Sequence, residues 1–338
     1  MGCSHMATLR NGLACSGIIE EDIAMPTLSV IMPNYNHGSY ISDALTAIFD
    51  QSFQPSEIIV VDDGSSDDSA SIVESLISLH TNLRLIKLGI NKGVVAAVNR
   101  GLEEVSGDYV YMPASNDRVE SGFFARAMGL LMRYPEAALC CTDFITFDDR
   151  ESLYYLGVEE KFLSPQCVRD VLAKNEELRA GGANSIIRRT ALRDAGFLLP
   201  GLRWHSDTFA VLVASVRHGM CYLPGAHINI RVDNKSFSRI GRRNSSEQKA
   251  VMTYALLLLE SERYSDIRNV VIAARAWPLT DLQCFGVLIS DPVLRQYISA
   301  GLAARTVRNA LLSTAKRIVP LSIQRIVSSW LSRFRGRR

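Results

Sequence analysis

The chain has 338 residues, 47% of them hydrophobic, and this length and composition suit one large α/β domain with an appendage. No apolar run reaches the roughly 18 residues that a transmembrane helix needs, so the sequence predicts no ordinary membrane span. The net charge of +2 is unevenly distributed, because residues 301–338 hold nine Lys and Arg and no acidic residue, against 28 basic and 35 acidic residues elsewhere. The main part shows no basic face, and we expect no nucleic-acid partner.

The cysteines and the first residues indicate a cytoplasmic protein. The seven cysteines include no Cys-x-x-Cys pair and most lie in apolar runs, which favours reduced, buried thiols over disulfides or zinc. Residues 1–24 lack the basic and apolar regions of a signal peptide, and Met1–Met6 resembles a cloning remnant. We expect residues 1–24 to form a leader outside the fold.

From Pro26 onward, short β-branched runs alternate with amphipathic stretches of helix length. This alternation is typical of a mostly parallel sheet covered by helices. We predict strands at Leu28–Met32, Glu57–Asp62, Leu83–Lys87, Tyr109–Met112 and Leu139–Phe147. The helices between them are predicted at Tyr40–Gln51, Ser69–Ser78, Lys92–Glu104 and Gly122–Arg133. Residues 25–147 are thus expected to form a nucleotide-binding half.

After Phe147 the alternation becomes irregular as far as about Arg203. A helix near Asp207–His218 and a strand near His227–Val232 follow, and residues 148–240 are expected to form an acceptor half. The polar stretch Gly241–Gln248 indicates a boundary. Beyond it we predict a helical extension over residues 241–338, with helices at Ala250–Glu262 and Ile267–Ala276 and a basic segment from Ala303.

The strongest site signal is an acidic cluster directly after the apolar run Ile58–Val61. Asp62 and Asp63 are followed by a glycine, two serines and two more aspartates. Because the carboxyl end of a central parallel strand opens into the ligand crevice, these carboxylates are expected at a binding site. They suit either a divalent cation or the hydroxyl and N–H donors of a sugar or nucleotide.

Two common classes of nucleotide-binding protein are disfavoured. The first predicted strand ends in Met32-Pro33-Asn34-Tyr35-Asn36, without the Gly-x-Gly-x-x-Gly that lets a pyrophosphate approach the backbone. The chain also has no Gly-x-x-x-x-Gly-Lys-[Ser/Thr]. Neither a dehydrogenase of the dinucleotide-binding class nor a P-loop kinase is expected.

Five motifs follow one another along the first half of the chain. They are Leu28–Asn36, Gln51–Ser66, Asn91–Gly93, Ala96–Gly101 and Gly107–Tyr111, with looser matches at Ile186–Arg189, Gly196–Phe197 and Arg231–Ser238. Together they resemble family 2 glycosyltransferases of the A-type (GT-A) fold, over roughly residues 26–240. The resemblance implies an α/β fold with a Rossmann-like, mostly parallel sheet flanked by helices, followed here by the helical extension.

This resemblance also implies an activity. It implies an inverting glycosyltransferase of the hexosyltransferase type, which moves a sugar from a nucleotide diphosphate donor to a hydroxyl acceptor. The expected setting is bacterial cell-surface polysaccharide or glycolipid synthesis. The alternative is a nucleotide-sugar-binding or scaffold protein that kept the fold and has little turnover.

The resemblance implies a set of nucleotide-binding residues at the strand ends. Pro33 and Tyr35 offer backbone and ring contacts, and Asp63 accepts the imide N–H of uracil or thymine, which favours UDP or dTDP over GDP. The alternative is that Asp62 and Asp63 only cap the helix that starts near Asp68. The predicted set is Pro33, Tyr35, Asp63, Asn91, Lys92, Gly93 and Ser115.

The diphosphate is usually bound in this family through a divalent cation on an Asp-x-Asp motif. The matching segment here is Pro113–Asp117, where alanine and asparagine replace the two aspartates. Asn116 and Asp117 can offer a carbonyl and a carboxylate oxygen to Mg²⁺ or Mn²⁺, but we expect weak binding with fewer charged ligands. The alternative is that Asn116 and Asp117 only form a turn.

The resemblance places the general base at the start of a helix in the second half, where the sequence reads Trp204-His205-Ser206-Asp207. We predict Asp207 as the base, because the amino terminus of a helix stabilises a carboxylate. The alternatives are that Asp207 is an ordinary first-turn residue, or that His205 is the base. A histidine beside a tryptophan more often has a packing role.

Arg231 and Lys235 are predicted to neutralise the diphosphate in place of a weakly bound metal. They lie in the segment Arg231–Ser238, which resembles a loop that closes over the donor. Cationic side chains can stabilise the charge of a leaving group directly. Further candidates are Arg239, Arg242 and Arg243.

Near the end of the chain, apolar residues recur at helical spacing among arginines. This pattern predicts a basic amphipathic helix. Such a helix suits the surface of an anionic membrane. We therefore expect residues 315–338 to make peripheral contact with the inner face of the cytoplasmic membrane, near a saccharide or lipid-linked acceptor. The alternative is a helix that packs on its own domain or on a partner.

Overall fold

The computed structural model describes residues 25–311, apart from 148–151, 155, 157–158, 175–177, 179, 233–235, 280–281, 291, 293, 305 and 308–310. The predicted leader 1–24, the predicted membrane-contacting segment 315–338 and Lys235 therefore lie outside the described residues. Within the described part, no helix is both long enough and apolar enough to cross a membrane.

Alternating strands and helices form the first half, as predicted. The strands are β1 (Leu28–Asn34), β2 (Glu57–Asp62), β3 (Leu83–Lys87), β4 (Tyr109–Tyr111), β5 (Arg118–Val119) and β6 (Leu139–Phe147). The helices are α1 (Gly38–Phe49), α2 (Ser69–Ile77), α3 (Val94–Glu104) and α4 (Phe123–Arg133). Apart from β5, which the sequence did not predict, every element begins and ends within two residues of its predicted bounds.

The second half contains more strands than the sequence predicted. The additional ones are β7 (Ser152–Tyr154), β8 (Lys161–Leu163) and β9 (Ser185–Arg188), and the strand expected at His227–Val232 is the end of a longer β10 (Met220–Arg231). The helices are α5 (Pro165–Ala173), α6 (Arg189–Asp194) and α7 (Ser206–His218), the last close to its prediction. Runs of three or four residues are too short to show periodicity, and register shifts interrupt β10 between Leu223 and Ile228.

The described part of the extension is helical. It contains α8 (Phe237–Arg243), α9 (Ser245–Glu260), α10 (Ser265–Ala274) and α11 (Leu282–Ser290). The polar stretch Gly241–Gln248 is the end of α8 and the start of α9, and Asn244 caps α9 by accepting the Glu247 N–H. The polarity therefore reflects helix capping, and a domain limit at residue 240 stays a prediction.

The ten described strands form one sheet, with the main order β3-β2-β1-β4-β9-β6-β10-β5. β3, β2, β1 and β4 are parallel, β9 is antiparallel to β4 and β6, and β10 is parallel to β6. The predicted α/β architecture, a central sheet with parallel strands flanked by helices, is confirmed. Because β1, β2 and β4 are parallel, their carboxyl ends meet at one edge of the sheet.

Helices cover both faces of this sheet. In β2, Ile58 packs in the same cluster as Leu45 of α1, whereas Ile59 packs with Val98 of α3 on the other face. Val251 of α9 belongs to the cluster of α3 and α7. The described part of the extension therefore contributes to the core on that face.

Candidate active site

Asp62 shapes the edge of the sheet where the acidic cluster begins. Its side chain is buried, its Oδ1 accepts a 2.9 Å hydrogen bond from Nδ2 of Asn34, and its Oδ2 accepts a 3.1 Å bond from the Ser65 N–H. These bonds connect the end of β1 with the loop after β2. Asp62 therefore supports the loops around it by linking their ends.

Asp63 directly contacts the predicted segment Asn91–Gly93. Its Oδ1 accepts the Lys92 N–H at 2.7 Å and its Oδ2 accepts the Gly93 N–H at 2.8 Å. The φ angle of Gly93 is 90°, a conformation that glycine adopts without steric strain. The N-cap of α2 is Asp68, so the interpretation of the aspartate pair as helix caps is wrong. Each Asp63 oxygen retains a lone pair for a ligand N–H.

Tyr35 lies in the loop between β1 and α1. It is 44% exposed, and Pro33 before it is half-buried within β1. Asn36, with a φ of 55°, accepts the Ser66 N–H at 2.8 Å through its Oδ1. The accessible Tyr35 ring therefore stands on a loop that is bonded to the acidic cluster.

The segment after β4 is bonded to two other parts of the site. Ser115 is fully buried, and its Oγ lies 2.7 Å from Nδ1 of His37 in the β1–α1 loop. Asp117 is 7% exposed, and its Oδ1 accepts the Arg231 N–H at 2.9 Å. Burial raises the pKa of Asp117 to about 7, against the opposing effects of backbone hydrogen bonds and of the Arg231 charge. The segment thus joins the β1–α1 loop to the end of β10.

Asp207 lies in the first turn of α7, where the sequence predicts the general base. Its Oδ2 accepts the Gly182 N–H at 2.9 Å and its Oδ1 accepts the Thr208 N–H at 2.8 Å, and the residue is partly exposed. These two donors and the amino end of the helix stabilise negative charge on the carboxylate. The arrangement suits a group that accepts a proton from a ligand hydroxyl.

A glycine pair packs between Asp207 and β4. A Cβ atom on Gly181 would lie 2.6 Å from Oδ2 of Asp207, and one on Gly182 would lie 3.3 Å from Cβ of Met112. A side chain at position 181 would therefore displace the carboxylate. Gly182 therefore lies between Asp207 and Met112, the residue that connects β4 to the segment Pro113–Asp117.

His205, the alternative base, is a packing residue. It is 6% exposed, and its ring centroid lies 5.1 Å from that of Trp277 and 6.4 Å from that of Trp204. Burial lowers the pKa of His205 to about 3, and the positive charge of Arg242 adds to this effect. The imidazole is therefore neutral and enclosed, which favours the packing interpretation.

Arg231, at the end of β10, lies against two aromatic rings. Its Cζ lies 4.3 Å from the ring centroid of Tyr40 in α1 and 4.6 Å from that of Phe147 at the end of β6. Its Nε is buried and has no hydrogen-bond partner among the described residues. The guanidinium is therefore fixed at the same edge of the sheet as Asp117.

The residues present form a poor donor set for a divalent cation. Mg²⁺ and Mn²⁺ favour several oxygen ligands, carboxylates among them. Ala114 has no side-chain oxygen, Asn116 offers a neutral one, and Asp117 is buried with one oxygen bonded to Arg231. Across the part of the chain that the structure describes, no three His, Cys, Asp or Glu side chains converge on one point.

Several residues of this site have no strong signal in the sequence. The consecutive glycines in an irregular region are a local sign of close backbone approach, which the sequence analysis did not use. The aromatic residues and the histidine carry no such sign, because their partners are distant along the chain. The residues missed are His37, Tyr40, Phe147, Gly181 and Gly182.

Comparison with known proteins supports the predicted resemblance. Residues 29–196 match the family model for glycosyl transferase family 2. One relative is a Campylobacter jejuni protein named GalNAc(5)-diNAcBac-PP-undecaprenol beta-1,3-glucosyltransferase, 34% identical over 105 residues that make up 31% of this chain and 34% of the relative. The chain spans less than half the length of this and other curated relatives that it matches.

Solved structures show the same fold. Staphylococcus aureus TarS 1-349 in complex with UDP-GlcNAc has a TM-score of 0.59 at 16% identity, over 82% of this chain and 83% of that chain. The mannosyltransferase PcManGT from Pyrobaculum calidifontis, in complex with GDP-Man and Mn²⁺, has a TM-score of 0.56 at 17% identity, over 94% of this chain and 89% of that chain. Both are GT-A folds, which agrees with the topology described above.

Proposed function

Since residues 29–196 match the family model for glycosyl transferase family 2, we propose that the protein transfers a sugar, with inversion, from a nucleotide diphosphate donor to a hydroxyl acceptor. The observation that carries this proposal is the carboxylate of Asp207. It is partly exposed, and it accepts hydrogen bonds from the N–H groups of Gly182 and Thr208. Gly182 in turn packs against Met112, the residue directly after β4.

In the proposed reaction, the acceptor hydroxyl attacks the anomeric carbon from the face opposite the diphosphate. Asp207 accepts the hydroxyl proton as the new C–O bond forms, and the bond to the diphosphate breaks with its electron pair on the leaving oxygen. A single displacement inverts the configuration at the anomeric carbon. The products are the glycoside, the nucleoside diphosphate and a protonated Asp207, which then loses its proton to solvent.

The donor is proposed to bind at the ends of β1 and β2. The Asp63 carboxylate accepts the imide N–H of uracil or thymine, and the exposed Tyr35 ring contacts the base, which favours UDP or dTDP over GDP. TarS holds UDP-GlcNAc and PcManGT holds GDP-Man, so related folds accept either base. The choice therefore depends on side chains such as Asp63.

The acceptor is proposed to be a saccharide or a lipid-linked saccharide of the bacterial cell surface. The Campylobacter jejuni relative is named for an undecaprenol-linked acceptor, which supports this class. An acceptor in a membrane would suit a cytoplasmic protein that contacts the inner membrane face through residues 315–338.

Turnover tests the proposal directly. The full chain is screened for hydrolysis and transfer of UDP-, dTDP- and GDP-sugars, and Asp207→Asn is expected to lower kcat by about 10²- to 10⁴-fold, the usual contribution of a general base. Nucleotide binding should stay within about twofold, because the amide keeps the shape of the carboxylate. Equal kcat values for the variant and the wild type would contradict the role of Asp207.

Asp266→Asn is the matched control. Asp266 is also an acidic residue in the first turn of a helix, α10, and it pairs with Arg217 at the surface. The Asp266→Asn substitution should leave kcat unchanged.

The replacement of the two motif aspartates by Ala114 and Asn116 favours a second candidate, a nucleotide-sugar-binding protein with little turnover. The same screen separates the two. Binding of a UDP- or dTDP-sugar without hydrolysis or transfer, unchanged in Asp207→Asn, would support the second candidate.

A further inference from the structure

The proposed reaction places new negative charge on the diphosphate, yet the chain lacks the carboxylates that would hold a metal ion there. Ala114 and Asn116 occupy the positions where the family usually has aspartates. Oδ1 of Asp117 accepts a hydrogen bond from the backbone N–H of Arg231. The Arg231 guanidinium is close enough for its charge to act on Asp117. A divalent cation at this point would be repelled by that charge.

Arg231 has the geometry of an anion-binding group. Its neighbour in the parallel ladder of β6 and β10 is Phe147, and its guanidinium lies over the rings of both Phe147 and Tyr40 of α1. With aromatic rings at 4.3 and 4.6 Å, the guanidinium can form strong hydrogen bonds only through its N–H edges. The buried Nε–H has no partner among the described residues, an unfavourable state that an anionic oxygen would relieve.

The position of this group also agrees with a donor diphosphate. Tyr40 belongs to α1, which directly follows the loop of Tyr35 and His37. His37 is in turn bonded to Ser115, and Asp117 in the same segment binds the backbone of Arg231. The guanidinium therefore adjoins both loops that are proposed to surround the donor.

We propose that Arg231, positioned by Tyr40 and Phe147, supplies the positive charge that binds and neutralises the leaving diphosphate, so that donor binding and transfer need no divalent cation. This proposal rests on the proposed function. When the anomeric C–O bond breaks, the electron pair stays on the diphosphate oxygen, and the Arg231 N–H groups stabilise the added charge. Tyr40 and Phe147 act through Arg231 and are positioning residues.

The test compares nucleoside diphosphates with monophosphates in the presence of EDTA. The full chain is titrated by calorimetry with UDP, dTDP and GDP and with UMP, dTMP and GMP, and the base that binds best is kept. The wild type is expected to prefer the diphosphate by about tenfold or more, because the additional phosphate gains charge-assisted hydrogen bonds. Arg231→Ala should bind both nucleotides equally, with unchanged monophosphate affinity.

Variants of the two rings separate positioning from folding. Tyr40→Leu and Phe147→Leu should reduce the diphosphate preference by about threefold or more without changing monophosphate affinity, because the guanidinium loses its fixed plane. Tyr40→Phe keeps the ring and should keep the preference. If Arg231→Ala does not fold, these ring variants decide the question.

Arg133→Ala is the control, because Arg133 also lies over an aromatic ring, that of Tyr134 at 5.5 Å, on the far end of α4. It should leave both affinities unchanged. The proposal is overturned if the diphosphate preference appears only with Mn²⁺, or if it survives in Arg231→Ala. Absence of binding by every nucleotide would instead refute the proposed function, and this proposal with it.

Discussion

The N–H of Gly182 donates a 2.9 Å hydrogen bond to Oδ2 of Asp207, and the backbone approaches this closely because Gly181 and Gly182 have no side chains. The bond holds the proposed base against the strand end that leads into Pro113–Asp117. The position of Asp207 relative to the end of β4 thus depends on a glycine pair in the irregular part of the sequence.

Substitution of Gly181 by alanine tests this relationship. The φ angle of Gly181 is −152°, which any residue adopts, so the effect comes only from the Cβ atom, 2.6 Å from Oδ2 of Asp207. We expect kcat to fall by about tenfold or more, because a displacement of a catalytic group by a fraction of an ångström is enough. Nucleotide affinity, measured by calorimetry, should not change.

Gly129→Ala is the matched control, because a Cβ atom at this position of α4 meets no atom within 4 Å. It should leave kcat unchanged and stabilise the protein by about 0.5–1 kcal/mol. An unchanged kcat in Gly181→Ala would show that Asp207 tolerates displacement and would contradict its role as the base.

Asp63→Asn is expected to weaken both nucleotide binding and the fold. The carboxylate accepts the N–H groups of Lys92 and Gly93, whereas an amide would turn its NH₂ group toward one of these donors. We expect the free energy of unfolding to fall by about 1–3 kcal/mol and UMP affinity to fall by about tenfold, measured by urea denaturation and calorimetry.

Asp108→Asn provides the comparison, since this exposed carboxylate accepts hydrogen bonds from the N–H and Oγ1 of Thr27. Its effect should be confined to stability. A loss of stability in Asp63→Asn with unchanged UMP affinity would restrict Asp63 to a structural role.

His205 should make stability depend on pH. Burial lowers its folded pKa to about 3 from an ordinary value of 6.5, so below pH 6.5 the unfolded chain binds a proton that the folded protein does not. The free energy of unfolding should therefore decrease as the pH falls from 6.5 toward 3, by up to about 1.4 kcal/mol per pH unit. His205→Gln should remove the contribution of this one proton, up to about 1.4 kcal/mol per pH unit, from the slope. The slope is measured by urea denaturation at several pH values.

His218→Gln, at an exposed position in the last turn of α7, should leave the slope as in the wild type. An identical slope in His205→Gln would show that the buried imidazole does not control the pH dependence.

The sequence predicted the first half of the fold more closely than the second. The apolar runs of β1 and β2 and the periodic helices between them are local patterns, and their bounds hold to within two residues. β9 pairs antiparallel with both β4 and β6, and β10 continues across register shifts, so neither follows from a local pattern. Strands that depend on distant partners are the least visible in a sequence.

The candidate site divides in the same way. Motif order alone gave the family resemblance and the predictions of Asp63, Asp117, Asp207 and Arg231, because each lies at or soon after the end of a strand, or at the start of a helix, that the local pattern reveals. The tertiary structure decided their contacts: Asp63 with the backbone of Lys92 and Gly93, Asp207 with Gly182, and Arg231 with Tyr40 and Phe147. The physical reason is that periodicity and capping act over a few residues, whereas these contacts arise from strand pairing and helix packing between distant segments.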